Sequence, residues 1–495
     1  MSGAPGTNVS VSTAPVSSSN PAPTGQWFIV GACERGAVGT PIEIQSMADY
    51  ATKLGARVSY GFLYDALDVF FREGGNTAWV SRVVGPAAVV AAHTLLDRAG
   101  SPLATLSVKA KGAGVAGNNI SVAVSNGPVS NTFVLQISYN GVVVETSTVC
   151  GAPADAVAWA ANVSNYVTIT DSGSTTPAPN NNPAVISATA LTSGADDNGS
   201  VTDTIRVTAL AAFTQMYGPG QVSVPGSTTV AVHDGLLNHA LSVGHRVALC
   251  DAPDTGTAAT ITALAVSDQT GATDPSYGTL LAPWVSYPPV PTGTALVPAP
   301  RSVPPSALCA GLMARNDGVN DANVPAAGAN GISTSAIGVS QTYIDSDRAL
   351  LDAAGVCVVR NILGQGGVQL YGYTSLAVDP NWTDLASVRF RMQLVNDALT
   401  IGAAFNFAQI DPQGKVLAAF NGALMANLSG YYAKGSLYGA TPAQAFSVNT
   451  GPTVNTPVTV AARQINAVES VRMSPSADQV NILIIRYPVT QPLAA

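Results

Sequence analysis

The stretch FFREGGNTAWVSRVVG, Phe70 to Gly85, places two adjacent glycines between two incompatible apolar patterns. Upstream, Leu63, Leu67, Phe70 and Phe71 recur at i, i+4, i+7 and i+8, one face of a helix. Downstream, TAWVSRVV alternates as a strand does. Gly74 therefore reads as a helix stop in the left-handed conformation. A phosphate-binding loop needs the reverse order, strand then glycines then helix, because the helix N-terminus supplies the amide donors. These glycines turn the chain, and a nucleotide site at this point is excluded.

The preceding text, WFIVGACERG from Trp27, reads as a buried strand, and SMADYATKLG as a short helix stopped by Gly55. From about 87 to 205 the chain is β-rich, with TLSVKAKG, NNISVAVS, TFVLQISYNGVVVETSTV and NYVTIT as strands and a hairpin turn at Tyr139 to Gly141. Asp171 to Pro183 is a loop. Helical and strand segments then alternate to about 360, predicting an α/β layer, interrupted by extended Pro-rich chain from Tyr287 to Ser306. Two helices are predicted near 384–402 and 412–435, the second with Val416, Leu417, Phe420, Leu424, Leu428 and Tyr431 in one stripe. Val480 to Tyr487, VNILIIRY, reads as a last apolar strand. Residues 1 to 26 lack apolar anchors and read as an extended arm, although TNVSVST suits a strand that pairs with another sheet.

Candidate chemistry is sparse. Gly112, Gly114 and Gly117 spell GxGxxG, but a strand follows where a dinucleotide fold needs a helix. The histidines are His93, His233, His239 and His245, with no metal-binding spacing among them. Asp234, His239 and Ser333 or Ser335 are an imaginable hydrolase triad, but no G-x-S-x-G elbow supports it. Catalytic, cofactor-binding and metal residues are accordingly expected to be none. Trp79, Trp284 and Trp382 read as core or interface packing.

Composition sharpens this. Only 10% of the 495 residues are charged, against about 25% in an ordinary globular protein, yet no apolar run approaches a membrane span. Such a composition fits equally a chain that hides surface against copies of itself or partners and a thermally stable or GC-biased monomer. A net charge of −8 argues against nucleic-acid binding. The five cysteines are scattered and read as small buried hydrophobes in a reducing compartment. The first residues show no basic start or apolar core of a secretion signal, which disfavours a surface adhesin.

The order of these motifs resembles the contractile-tail sheath proteins of bacteriophages. PAPTGQWFIVGACERG is similar to the family's opening P-T-x-x-F-x-x-G, LYDALDVFFREGGNTAWVSRV to its L-x-x-A-x-x-x-F-F with paired glycines, and GVAGNNISV to its G-x-x-G-N-x-I-x-V. VSVPG, RVALCDAP, LLAPWVSY, VPPSALCAGLMARND and GSLYGATPAQAFSVNT follow in the family's order. Cys357, Tyr371, Tyr373 and Phe390 depart from it, standing where the family has Asn, Trp, Arg and Arg.

The resemblance implies a mixed α/β and α+β multidomain protein that is not an enzyme. Its expected parts are an N-terminal arm (1–26), a core in two segments (27–86 and 205–375), a β-rich outer insertion (87–204), a tube-facing α+β domain (376–479) and a C-terminal strand and arm (480–495). Core folds of this family are similar in shape to subtilisin without its catalysis. Arms add strands to neighbouring subunits, which points to Asn8, Val9, Val11, Ile482, Ile484 and Tyr487 for strand exchange. Implied partners are copies of itself in hexameric rings, the tail tube protein, and the baseplate and tail terminator proteins, without direct nucleic-acid contact or membrane insertion. The implied place is the virion tail, assembled in the host bacterial cytoplasm. The implied work is contraction that drives the tube through the host envelope for genome ejection. A tailocin or another contractile injection system uses the same physics.

Overall fold

The computed structural model describes residues 24–290, 299–362, 364, 366–478, 480, 482–484 and 486. Its centre is an eight-stranded sheet in the order Gly367–Leu370, Val356–Ile362, Gly278–Ala282, Arg246–Asp251, Gly220–Ser223, Trp27–Gly31, Ala78–Arg82 and Ile42–Ile44. The six inner strands run parallel, and each edge strand is antiparallel to its neighbour. A parallel sheet must be covered on both faces, so its strands are apolar on both. Trp27 and Ile29 face one core with the helices Leu63–Arg72, Pro305–Asp317 and Leu385–Ala403. Phe28 and Val30 face the other, with the helices Val230–Val243 and Ala258–Gly271.

The opening glycines end helix Leu63–Arg72 as a two-bond C-terminal lock. Gly75 N–H donates to Phe70 C=O (2.9 Å) and Gly74 N–H to Phe71 C=O (3.3 Å), with Gly74 at φ +109°. A Cβ on Gly75 would stand 2.3 Å from the Phe70 ring. The chain then enters Ala78–Arg82 directly. Helix Pro305–Asp317 is buried on nearly every side, and its Gly311 lets the Phe70–Glu73 turn approach closely. With no polar face it has no helical periodicity to read.

Between the two sheet-forming stretches, residues 92–190 build a separate core. A four-stranded sheet (Ile186–Ala190, Ile120–Asn126, Phe133–Tyr139, Val142–Thr146) and a three-stranded one (Ala92–Leu96, Ala104–Ala110, Val167–Asp171) enclose Leu106, Val122, Phe133, Leu135 and Trp159. Asn140 (φ 50°) and Gly141 (φ 77°) make the tight hairpin turn expected of them. Helix Pro153–Asn162 was not anticipated; proline begins it, and the Asp155 carboxylate accepts from the Gly151 and Ala152 amides. After the central sheet, helices Leu385–Ala403 and Lys415–Ala433 and a two-stranded sheet, Phe446–Asn449 with Val468–Val471, share a small core of Phe390, Leu428, Tyr431 and Phe446. No described helix is long and apolar enough to cross a membrane.

Gly75→Ala is expected to cost about 1–3 kcal/mol, because Phe70 is fully buried and cannot retreat. Gly100→Ala, with nothing within 4 Å of the added carbon, should stay within about 0.5 kcal/mol. Urea unfolding of the full chain measures both.

Candidate assembly interface

The first described residue, Thr24, is fastened rather than loose. Its hydroxyl donates to Asp317 (2.5 Å), its carbonyl accepts from the Gln221 amide side chain (3.0 Å), and Gly25 lies against the Ala314 backbone. Asp317 also accepts from the Arg389 guanidinium (2.5 Å), and both residues are almost fully buried. Arg389 donates in addition to the Tyr373 hydroxyl (3.1 Å). Although burial opposes its charge, Asp317 and Tyr373 hold Arg389 above its ordinary pKa.

The other end of the chain leaves from the C-terminal small sheet. Arg472 N–H donates to Ala445 C=O (2.8 Å), and Ser474 to Ser436 C=O (3.1 Å) and, through its hydroxyl, to Gly435 C=O (2.7 Å). Beyond it, Ser476–Asp478 border a cleft of about 600 Å³ beside the sheet edge, with Arg348, Asp352 and Tyr371 on its walls. Val480, Ile482, Leu483 and Ile484 are 78–88% exposed and belong to no strand. Four large aliphatic side chains in water is an unsatisfied arrangement for a chain end. Ile482 and Ile484 are among these exposed side chains; Asn8, Val9, Val11 and Tyr487 lie outside the described residues.

The β-rich part is joined to the centre by a polar clamp. The Arg35 guanidinium lies 4.2 Å from the Tyr166 ring centroid and 4.9 Å from that of Tyr139, and donates to Ala51 C=O (2.7 Å). Tyr139 donates to Glu34 (2.9 Å), and burial with that carboxylate pushes its phenol up to about 12. The GxGxxG stretch completes the joint, since a Cβ on Gly112 would fall 1.8 Å from Gly36 O. Gly112 permits that backbone contact, Gly114 and Gly117 make room for the Asp196 carboxylate and the Ala91 side chain, and the strand Ile120–Asn126 follows them.

The imagined triad does not assemble. Ser333 and Ser335 donate their hydroxyls (2.5 and 2.7 Å) to Glu73, a fully buried carboxylate also reached by Thr334. His239 instead faces Arg246 (3.2 Å), and burial with that cation pushes it down to about 4. The intimate histidine–acid pair is one that sequence spacing missed: His233 Nδ1 lies 2.8 Å from Asp268, with both side chains inaccessible to solvent. Only the fold brings helices Val230–Val243 and Ala258–Gly271 together to form it. Among the described residues, no three His, Cys, Asp or Glu gather as metal ligands. Trp284 is buried and donates to Ala252 C=O (2.8 Å); Trp79 donates to Gln26 (3.0 Å), and Arg391 covers Trp382.

No protein-family model and no curated protein sequence matches the chain. Solved structures do. The sheath tail protein of Desulfitobacterium hafniense aligns over 90% of this chain and 93% of its own, at 14% identity and a TM-score of 0.55. That of Listeria innocua aligns over 87% and 89%, at 16% identity and TM-score 0.61. The contracted helical sheath of the anti-feeding prophage aligns over 99% and 100%, at 16% identity and TM-score 0.54. The fold is that of a tail sheath protein. Within this sheath fold, three of the four departures from the resembled motifs sit in the core. Cys357 Sγ receives Thr279 Oγ1 (3.1 Å) and the Thr374 amide (3.2 Å), Tyr373 receives Arg389, and Phe390 stacks edge-on against Tyr431.

Burial alone disfavours charge on His233, but Asp268 outweighs it and raises the imidazole pKa. A raised folded-state value stabilises below the unfolded pKa of about 6.5 and is lost as pH rises through the folded value. The stability advantage of the wild type over His233→Asn should therefore be largest below about pH 6.5 and decline above it. Urea unfolding from pH 5 to 8 tests the sign; an advantage growing with pH would contradict it.

Proposed function

We propose that this chain is the subunit of a contractile sheath, polymerising as hexameric rings around a tail tube and contracting to drive that tube through a target envelope. The observation that carries the reading is the alignment with sheath tail proteins over about nine-tenths of the chain or more. On this reading the protein does structural work and catalyses no reaction. Its partners are its own copies, the tube, the baseplate and the tail terminator. Its place is the tail, assembled in the cytoplasm of the producing bacterium.

The mechanism follows from the ends of the chain. An apolar C-terminal segment whose described residues Val480 and Ile482–Ile484 are exposed suits strand addition to a neighbour. Phe446–Asn449 with Val468–Val471 is an acceptor of the right kind. A two-stranded sheet is marginal by itself, and its outer edges carry no further strand among the described residues. One added strand with roughly 4–6 backbone hydrogen bonds, at ~0.5–1.5 kcal/mol each, contributes several kcal/mol per link. Links of that strength hold a mesh while globular faces exchange one set of contacts for a better one. The energy of contraction then resides in subunit packing, and nothing is hydrolysed.

Both phage-type tails and extracellular injection systems use such a sheath, and the matched structures include an extracellular contractile injection system sheath. The exchange segments proposed are Asn8, Val9 and Val11 at one end and Ile482, Ile484 and Tyr487 at the other.

Deleting residues 1–20 is expected to leave a folded monomer and abolish tube formation, as seen by negative-stain electron microscopy and sedimentation. Normal tubes from the truncated chain would overturn the arm mechanism.

A further inference from the structure

Thr24 and Ser474, at the roots of the two arms, both connect to one short segment, Asp317–Ala322, at the exit of the buried helix Pro305–Asp317. Asp317 accepts from Thr24, at the base of the N-terminal arm. Four residues on, Asp321 accepts from Lys434 (2.9 Å) and from the Ser436 hydroxyl (3.1 Å). Ser436 C=O in turn receives the Ser474 amide at the base of the C-terminal arm. The segment is itself held by helix Leu385–Ala403: Arg389 binds Asp317, and Gln393 Oε1 accepts the Ala322 amide (3.2 Å). These two residues are one helical turn apart and grip the two ends of the segment.

The position of Asp317 is informative. A carboxylate in the last turn of a helix faces the negative end of the helix dipole, an unfavourable place. It is also almost fully buried. Helix stability does not call for an acid there, whereas a joint that must hold Thr24 and Arg389 at once does.

We infer that Asp317–Ala322 is a positioning clasp that couples the two arm roots, so that loosening either arm at its base loosens the other. The inference rests on the strand-exchange reading for its purpose, because a subunit pulled through its N-terminal arm would pass the pull to its C-terminal arm through this segment. Asp317 and Asp321 are the positioning residues, and Arg389 fixes the first of them.

The test uses the full-length monomer and site-resolved amide hydrogen exchange. Thr24→Val removes one hydroxyl bond at the N-terminal root, and Asp321→Ala removes the acceptor at the C-terminal one. Should Asp321→Ala fold poorly, Lys434→Met removes the same ion pair from a side chain that is 62% exposed. The expected result is crossed. Thr24→Val accelerates exchange of the Ser474 amide by about tenfold, and the Asp321 or Lys434 variant accelerates that of Trp27 similarly, while Leu249 and Leu281 in the sheet centre do not change. If each variant accelerates only its own root, the clasp is wrong. Because exchange is read on monomers, this outcome is independent of the 1–20 deletion, whose normal assembly would overturn strand exchange alone.

Discussion

The parallel pairing of Trp27–Ile29 with Gln221–Ser223 holds the molecule together. It joins two stretches of chain almost two hundred residues apart into one sheet, and every other feature adjusts to it. Trp27 fills one core and Phe28 the other, both fully buried, so the strand seals both faces. The chain leaves this sheet after Arg82 and returns to it at Gly220, building the β-rich unit between. Arg82 marks the departure: its guanidinium donates to the carbonyls of Cys33, Glu34 and Gly36, locking the loop on which the β-rich unit rests. Two arginines, Arg82 and Arg35, thus hold the insertion to its base through backbone carbonyls and aromatic faces.

What was legible in the sequence was whatever needed one amphipathic face or one special backbone angle. The helix from Leu63, the Gly74 stop, the Asn140–Gly141 turn and the stripe through Leu424, Leu428 and Tyr431 all belong to that class. Helix Pro305–Asp317 was blurred because it is buried on nearly all sides, so periodicity had nothing to contrast. Helix Pro153–Asn162 was hidden by its short length and alanine content. The polar joints were not legible at all. Glu73 meets Ser333 and Ser335 across some 260 positions, and Asp317 meets Arg389 across 72. Such pairs follow from the packing of segments far apart in the chain, which no local pattern encodes. The segments proposed for strand exchange stand out by composition alone, an apolar run at one end and a polar stretch at the other.

The low charge content now has a physical explanation. Of the few ionic groups, many are spent inside: Arg301 lies between Asp65 and Asp68, Arg389 on Asp317, and Arg246 on the carbonyls of Phe213, Thr214 and Gly218. Buried ion pairs add little net stability, since desolvation offsets the attraction, but breaking one leaves a stranded charge and is costly. They therefore resist rearrangement inside the subunit. The surface carries few charges for its size and exposes large apolar side chains, Met216, Val319 and Phe407 among them. Interface cores elsewhere are depleted in charge for the same reason: an unpaired charge resists being covered. On the proposed sheath reading, a subunit whose internal charges are paired and whose surface carries few charges is suited to exchange one set of neighbours' faces for another while keeping its own shape. In a contracting lattice the free energy must be released between subunits, because a subunit that yielded internally would absorb it.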